Sequence, residues 1–79
     1  MDVSKVDLEL DLRGLKCPMP MVRVSQSINA VPVGGVIRAV GTDPACEKDI
    51  PAWARLTGNE VLKIEHAGDE IILYVKRNG

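Results

Sequence analysis

The sequence predicts an α+β fold, a two-layer α/β sandwich in which two helices pack on one face of a mixed four-stranded sheet. The chain has 79 residues, enough for a single small domain that spans residues 1–79. Its apolar patterns follow the order βαβαββ. Its core must be aliphatic, because the chain has one Trp, one Tyr and no Phe. Right-handed crossover connections would put both helices on one side of the sheet if the strand order continues in one direction.

The first half of the chain predicts a strand, a helix and a second strand. Apolar and acidic residues alternate over positions 6–12, which is the period of a half-buried strand. Apolar residues then recur at three- and four-residue steps over about 18–31, which indicates an amphipathic helix. Pro32 and the following glycine pair end this helix. The short β-branched run 36–40 predicts a central strand.

The second half predicts another helix and a hairpin. Asp43-Pro44 is typical of an N-cap followed by proline at the first helical position, and Asp49 before Ile50-Pro51 offers a later start. The helix body would run through Trp53 and Leu56 until Gly58. Residues 61–66 and 71–75 predict two strands joined by the short loop 67–69.

Composition and charge narrow the possible functions. Ten Lys and Arg against eleven Asp and Glu give a net charge of -1, which argues against a general nucleic-acid binder. The first residues lack the apolar region of a signal peptide, and no apolar stretch approaches the ~20 residues of a membrane span. We therefore expect a cytoplasmic protein with reduced cysteines. Two Cys and one His, far apart in sequence, do not have the number or spacing of typical metal ligands. We expect neither a metal nor another cofactor.

The candidate functional residue is Cys17, which lies just before the first helix. A crossover connection makes the first two strands parallel, so both helix N-termini lie beyond the carboxyl ends of those strands. Cys17 would there meet Asp43 and Cys46. In the alternative interpretation, Cys17 is a small buried apolar residue.

The surroundings of Cys17 in the sequence predict a reactive thiol. A helix N-terminus favours a thiolate, and Lys16, with Arg13 and Arg23 nearby, adds positive charge. We therefore expect the pKa of the thiol to be lowered toward neutrality. Pro18 and Pro20 would stiffen the backbone and hold the thiol outward.

The sequence also resembles a known family. The stretch Leu10-Asp11-Leu12-Arg13-Gly14-Leu15-Lys16-Cys17-Pro18-Met19-Pro20 is similar to the signature of the TusA/SirA family of sulfur-carrier proteins. The later Asp43-Pro44-Ala45, Asp49-Ile50-Pro51 and Gly58-Asn59-Glu60 also match it. The resemblance covers about residues 8–76, which is nearly the whole chain.

The resemblance implies the same βαβαββ fold and a sulfurtransferase that acts by carriage. Cys17 would accept sulfane sulfur as a persulfide or a thiosulfonate-type adduct and pass it on. The implied partners are a persulfide-donating protein, of cysteine desulfurase or rhodanese type, and a sulfur-accepting protein. Such carriers serve tRNA thiolation, cofactor biosynthesis or the oxidation of inorganic sulfur compounds. Asp43 and Asp49 match acidic family positions that would help partner docking, although helix capping also explains them.

Three alternatives stay open. Cys46 departs from the family pattern and would be a second sulfur acceptor, a disulfide partner of Cys17, or a small residue that fills the first turn of the second helix. The whole chain could be a non-catalytic interaction or RNA-associated module, but its charge is near neutral and its strands lack stacking aromatics. A redox protein that uses both cysteines is the third, although no Cys-x-x-Cys pair is present.

Overall fold

The computed structural model describes residues 5–79, and its elements follow the predicted order βαβαββ. The strands are β1 (Leu8–Leu12), β2 (Val36–Gly41), β3 (Glu60–Ala67) and β4 (Glu70–Lys76), and the helices are α1 (Met19–Ser27) and α2 (Cys46–Thr57). A single 3₁₀ turn, Ile28–Ala30, extends α1. The predicted α+β architecture with a mixed four-stranded sheet is confirmed.

The sheet has the strand order β1-β2-β4-β3. β1 pairs with β2 in parallel, whereas β4 pairs with both β2 and β3 in antiparallel fashion. β3 therefore runs parallel to β2 with β4 between them, so both crossovers proceed in the same direction across the sheet. Both helices accordingly lie on one face, where they contact each other.

The core lies between the sheet and the helices and is aliphatic, as predicted. The sheet contributes fully buried side chains that alternate along the strands, among them Leu12, Ile37 and Leu73. The helices cover them with Val24 and Ile50, which are also fully buried. Cys46 belongs to the same cluster.

The first helix is shorter than the apolar pattern predicted. Regular α-helix begins at Met19, with Pro18 as its N-cap, and ends at Ser27. Val31 is extended and buried, so its apolar side chain belongs to the core without belonging to the helix.

The predicted start of the second helix at Asp49-Ile50-Pro51 was wrong. The start predicted at Asp43-Pro44 comes two positions early, although the Asp43 side chain accepts the N–H of Ala45 as a cap would. α2 begins at Cys46, and Pro51 lies inside it rather than at its start. The N–H groups of Cys46 and Asp49 already donate to the carbonyls of Asp43 and Ala45, so the first turn forms before the proline. Pro51 removes one backbone donor from the helix but does not interrupt it.

The other face of the sheet carries a network of polar side chains. Arg38 donates to Tyr74 Oη at 3.4 Å and pairs with Glu9 at 3.0 Å. Tyr74 in turn donates to Glu65 at 3.2 Å. The tyrosine thus connects charged side chains of β2 and β3, and Arg38 extends the network to Glu9 on β1. Within residues 5–79, no helix is long and apolar enough to cross a membrane.

Candidate functional site at Cys17

Cys17 lies at the end of the short loop that joins β1 to α1, and its thiol is exposed. The loop is anchored on both sides, because Leu12 is fully buried before it and Pro20 is buried after it. Leu15 packs against the core from within the loop. The peptide bond between Cys17 and Pro18 is cis. The thiol is thus presented outward from a well-anchored backbone, as predicted.

Asp43 joins this loop to the loop between β2 and α2. One carboxylate oxygen accepts the backbone N–H of Cys17 at 2.8 Å, and the other accepts the N–H of Ala45 at 3.0 Å. Beside it, the Thr42 hydroxyl accepts the N–H of Gly14 at 3.0 Å. The two loops are thereby held together at the carboxyl ends of the parallel strands, where the sequence predicted the site.

The Cys17 thiol donates a hydrogen bond to Asp49. The distance from Sγ to Oδ2 is 3.0 Å, and Asp49 lies in the first turn of α2. This hydrogen bond is the main cause that raises the pKa of the Cys17 thiol above its ordinary value. Desolvation and the negative charges of Asp49 and Asp43 raise it further. The prediction of a lowered thiol pKa is therefore wrong.

The start of α1 has few free backbone donors. Pro18 and Pro20 have no N–H, and the N–H of Met19 donates to the carbonyl of Lys16 at 2.9 Å. The start of the helix therefore offers little of the positive potential that lowers thiol pKa values elsewhere. The charge of Lys16 acts on Asp43 instead, whose pKa is lowered mainly by the backbone N–H groups of Ala45 and Cys17.

Arg13 is turned away from the thiol. Its Nε lies 2.9 Å from an oxygen of Asp11, and its Nη1 lies 3.6 Å from Glu70. The hydrogen bond from Arg13 lowers the pKa of Asp11 to about 2. Arg23 is exposed on α1. The side chains that accept hydrogen bonds from Cys17 are the carboxylates of Asp43 and Asp49, so the groups in contact with Cys17 are acidic.

Cys46 lies behind Cys17, with 1% of its surface exposed. A Cβ atom on Gly41 would lie 2.8 Å from the Cys46 sulfur, so the glycine makes room for the thiol. The space between the two cysteines is also lined by Pro18, Pro20, Met21, Ala45 and Asp49, and it is too small to admit a water molecule. Both cysteines are free, and burial raises the pKa of the Cys46 thiol. Cys46 fills the first turn of α2 in this structure.

A shallow cleft of about 390 Å³ adjoins the loop that carries Cys17. It is lined by Gly14, Leu15, Lys16, Thr42, Asp43 and Pro44. The sequence interpretation missed Thr42, although a hydroxyl directly after a predicted parallel strand is a signal for this edge of the sheet. Among residues 5–79, no three His, Cys, Asp or Glu side chains are grouped so that they could hold a metal ion.

Among residues 5–79, the site offers an exposed thiol beside a shallow cleft. Asp43 positions the backbone of Cys17, and Asp49 accepts the hydrogen of its side chain. An exposed thiol of this kind can attack an electrophilic atom that another molecule presents.

Solved structures support the fold. The crystal structure of the SirA-like protein from Desulfitobacterium hafniense superposes with a TM-score of 0.78. The match covers 91% of this chain and 99% of that one, at 18% sequence identity. At this identity the likeness concerns the fold alone.

Sequence relatives support a family assignment. The sulfur carrier protein TusA of Allochromatium vinosum is 38% identical over 76 residues, which cover 96% of this chain and 100% of the relative. The putative sulfur carrier protein of Aquifex aeolicus is 40% identical over 77 residues, but this chain spans only 39% of that relative. A family model described as sulfurtransferase TusA matches residues 8–77. The chain therefore belongs to the TusA sulfurtransferase family, the TusA/SirA family that its Cys-Pro-x-Pro motif resembles.

Proposed function

We propose that this protein is a sulfur carrier that accepts sulfane sulfur on Cys17 and transfers it to a partner protein. The observation that carries the proposal is the exposed Cys17 thiol at the carboxyl ends of the parallel strands, within the segment matched by the family. The names of the relatives as sulfur carriers support the same role.

The proposed step exchanges one sulfur atom without net oxidation. The sulfur of Cys17 attacks the outer sulfur of a donor persulfide, and the bond between that atom and the donor cysteine breaks. The donor cysteine leaves as a thiolate and takes up the proton that the Cys17 thiol gives up. Cys17 then carries the outer sulfur as a persulfide and offers it to an acceptor thiol in the same kind of exchange. These two exchanges, from donor to Cys17 and from Cys17 to acceptor, are the sulfurtransferase activity that we assign to the chain.

The partners must supply most of the specificity, because Cys17 lies on the surface rather than in a pocket. The donor would be a protein that forms a persulfide, of cysteine desulfurase or rhodanese type, and the acceptor a protein with a reactive thiol. Sulfur trafficking, tRNA thiolation and sulfur oxidation are processes that use such transfers. We assign the exchange to the cytoplasm, where thiols are kept reduced.

Intact mass spectrometry tests the proposal. The reduced protein is incubated with a persulfide-forming donor protein or with a thiosulfonate, and its mass is then measured before and after a reductant. We expect a gain of one sulfur atom from the persulfide donor, or of the corresponding adduct from the thiosulfonate, and its removal by the reductant.

Two matched variants locate the acceptor. Cys17→Ser should abolish the adduct, whereas Cys46→Ser should retain it because Cys46 is buried. A protein that stays unmodified with every donor, or a Cys17→Ser variant that still gains sulfur, would contradict the proposal. A Cys17–Cys46 disulfide as the dominant product would favour a redox function instead.

A further inference from the structure

We propose that Asp49 is a positioning residue of the carrier cycle: it holds the hydrogen of the empty Cys17 thiol and repels the outer sulfur of the loaded persulfide. The inference rests on the proposed function and goes beyond it, because it assigns the two states of Cys17 to one carboxylate. It follows from the contact between Cys17 Sγ and Asp49 Oδ2 at 3.0 Å.

In the empty state, two carboxylates contact Cys17, one at its backbone and one at its thiol. Asp43 accepts the backbone N–H of Cys17, so its contact is the same whether the thiol is protonated, ionised or loaded. Asp49 accepts the hydrogen of the thiol itself, and this hydrogen bond exists only while Cys17 is empty and protonated. Asp49 thus stabilises the unreactive form of the nucleophile.

The other groups around the thiol do not oppose this effect. The negative charge of Asp43, on the β2–α2 loop, also favours the protonated thiol. Cys46, on α2, has the same effect. From the Cys17 loop itself, the charge of Lys16 acts on Asp43. α1 begins with Met19, whose N–H is already bound, and with a proline. Removal of Asp49 should therefore lower the pKa of the Cys17 thiol more than removal of any other of these groups, because its hydrogen bond is the main cause of the raised pKa.

The loaded state reverses the interaction. Once Sγ is bonded to a second sulfur, it has no hydrogen to donate to Asp49. The outer sulfur lies about 2 Å beyond Sγ and carries the negative charge of an ionised persulfide. The charge of Asp49 repels that sulfur at short range. The same carboxylate therefore keeps the empty thiol protonated and favours transfer of the outer sulfur to an acceptor over its retention on Cys17.

The first experiment measures the empty state and needs no sulfur donor. The rate of alkylation by iodoacetamide is followed by intact mass across pH 6–10, for the reduced wild type and for Asp49→Asn. Because the pKa of Cys17 should fall in the variant, its rate profile should move to lower pH. For each pKa unit lost, the thiolate fraction at neutral pH rises about tenfold. The reactivity of the thiolate falls about threefold, so the net gain in rate is about threefold.

Glu47→Gln is the matched control. It removes the same charge from the same turn of α2, but Glu47 pairs with His66 at 3.1 Å rather than with Cys17. We expect its profile to coincide with that of the wild type. Circular dichroism and thermal unfolding check that each variant folds. If folded Asp49→Asn alkylates with the wild-type profile, or if Glu47→Gln shifts it equally, the proposal is overturned.

The second experiment measures the loaded state. Protein loaded on Cys17 is mixed with one equivalent of β-mercaptoethanol, an uncharged acceptor that takes up the outer sulfur as its own persulfide. The loaded fraction is read by mass before a second thiol can release that sulfur as hydrogen sulfide. Removal of one unit charge about 5 Å from the outer sulfur should make Asp49→Asn retain sulfur at least about fourfold more strongly than the wild type, which is the factor expected at the dielectric constant of water. Equal or weaker retention by the variant would overturn the role of Asp49 in delivery.

The two experiments separate this proposal from the proposed function. If no persulfide forms on any variant, the carrier function fails and the delivery role of Asp49 fails with it. The alkylation profile still decides whether Asp49 controls the ionisation of Cys17. If loading succeeds but Asp49→Asn changes neither the alkylation profile nor the retained sulfur, the carrier function stands and the inference about Asp49 fails.

Discussion

At the scale of single residues, a close contact between β2 and α2 positions the first turn of α2 beside the candidate site. Gly41 is buried opposite Leu12, and a Cβ at position 41 would lie 2.8 Å from the Cys46 sulfur and 3.7 Å from Leu12 Cβ. The contact sets how closely the first turn of α2 approaches the sheet. That turn carries Asp49, so the packing of a buried glycine and cysteine positions a group that touches the exposed thiol.

We predict that Gly41→Ala destabilises the protein by about 1–3 kcal/mol, because the added methyl group overpacks the contact. Cys46→Ala should cost about 1 kcal/mol through lost burial. The double variant should lose less than the sum, since the smaller side chain at position 46 makes room for the methyl group. Urea unfolding measures the three free energies.

Gly79→Ala serves as the control for the glycine substitution, because an added methyl group there meets no atom within 4 Å. We expect it to change the free energy of unfolding by less than about 0.5 kcal/mol. Strict additivity of Gly41→Ala and Cys46→Ala would show that the two residues do not share this contact.

At the scale of elements, the end of α2 stabilises the helix whose beginning forms the site. Gly58 closes the helix with a φ of 78°, in the left-handed region, and its N–H donates to the last carbonyls. The N–H of Asn59 donates to the carbonyl of Ala54 at 2.8 Å. This pattern satisfies carbonyl groups that a helix end would otherwise expose. The predicted stop at Gly58 is confirmed.

We predict that Gly58→Ala lowers the free energy of unfolding by about 1 kcal/mol. The cost is conformational, because nothing lies within 4 Å of the added methyl group but the left-handed conformation disfavours a Cβ. Gly58→Asn should cost less, since asparagine tolerates this conformation better. Urea unfolding ranks the two variants, and equal losses would contradict a purely conformational cause.

At the scale of the whole molecule, burial distinguishes leucines that the sequence pattern treats alike. Leu73 lies on central strand β4 and is fully buried, whereas Leu56 on α2 is 88% exposed. The pattern placed Leu56 in the body of the second helix, which is correct. That it faces away from the core follows from how the helix is rotated on the sheet.

We predict that Leu73→Ala destabilises the protein by about 2–5 kcal/mol, because it leaves a cavity in the middle of the core. Leu56→Ala removes an equal number of atoms, but it should change stability by less than about 0.5 kcal/mol. Thermal and urea unfolding compare the pair directly. A large loss in Leu56→Ala would mean that this side chain is covered in solution.

The sequence by itself determined the order of elements, the aliphatic core and the position of Cys17 before a helix, because alternation, helical spacing and proline act over a few residues. The tertiary structure decided what surrounds the thiol. Asp49, which is 32 positions away in the chain, accepts its hydrogen, and Asp43, 26 positions away, holds its backbone. Lys16 and Arg13 are neighbours in sequence, but their charges act on other carboxylates. A pKa depends on distances in space, so the local pattern located the candidate thiol and the folded chain set the groups that control its ionisation.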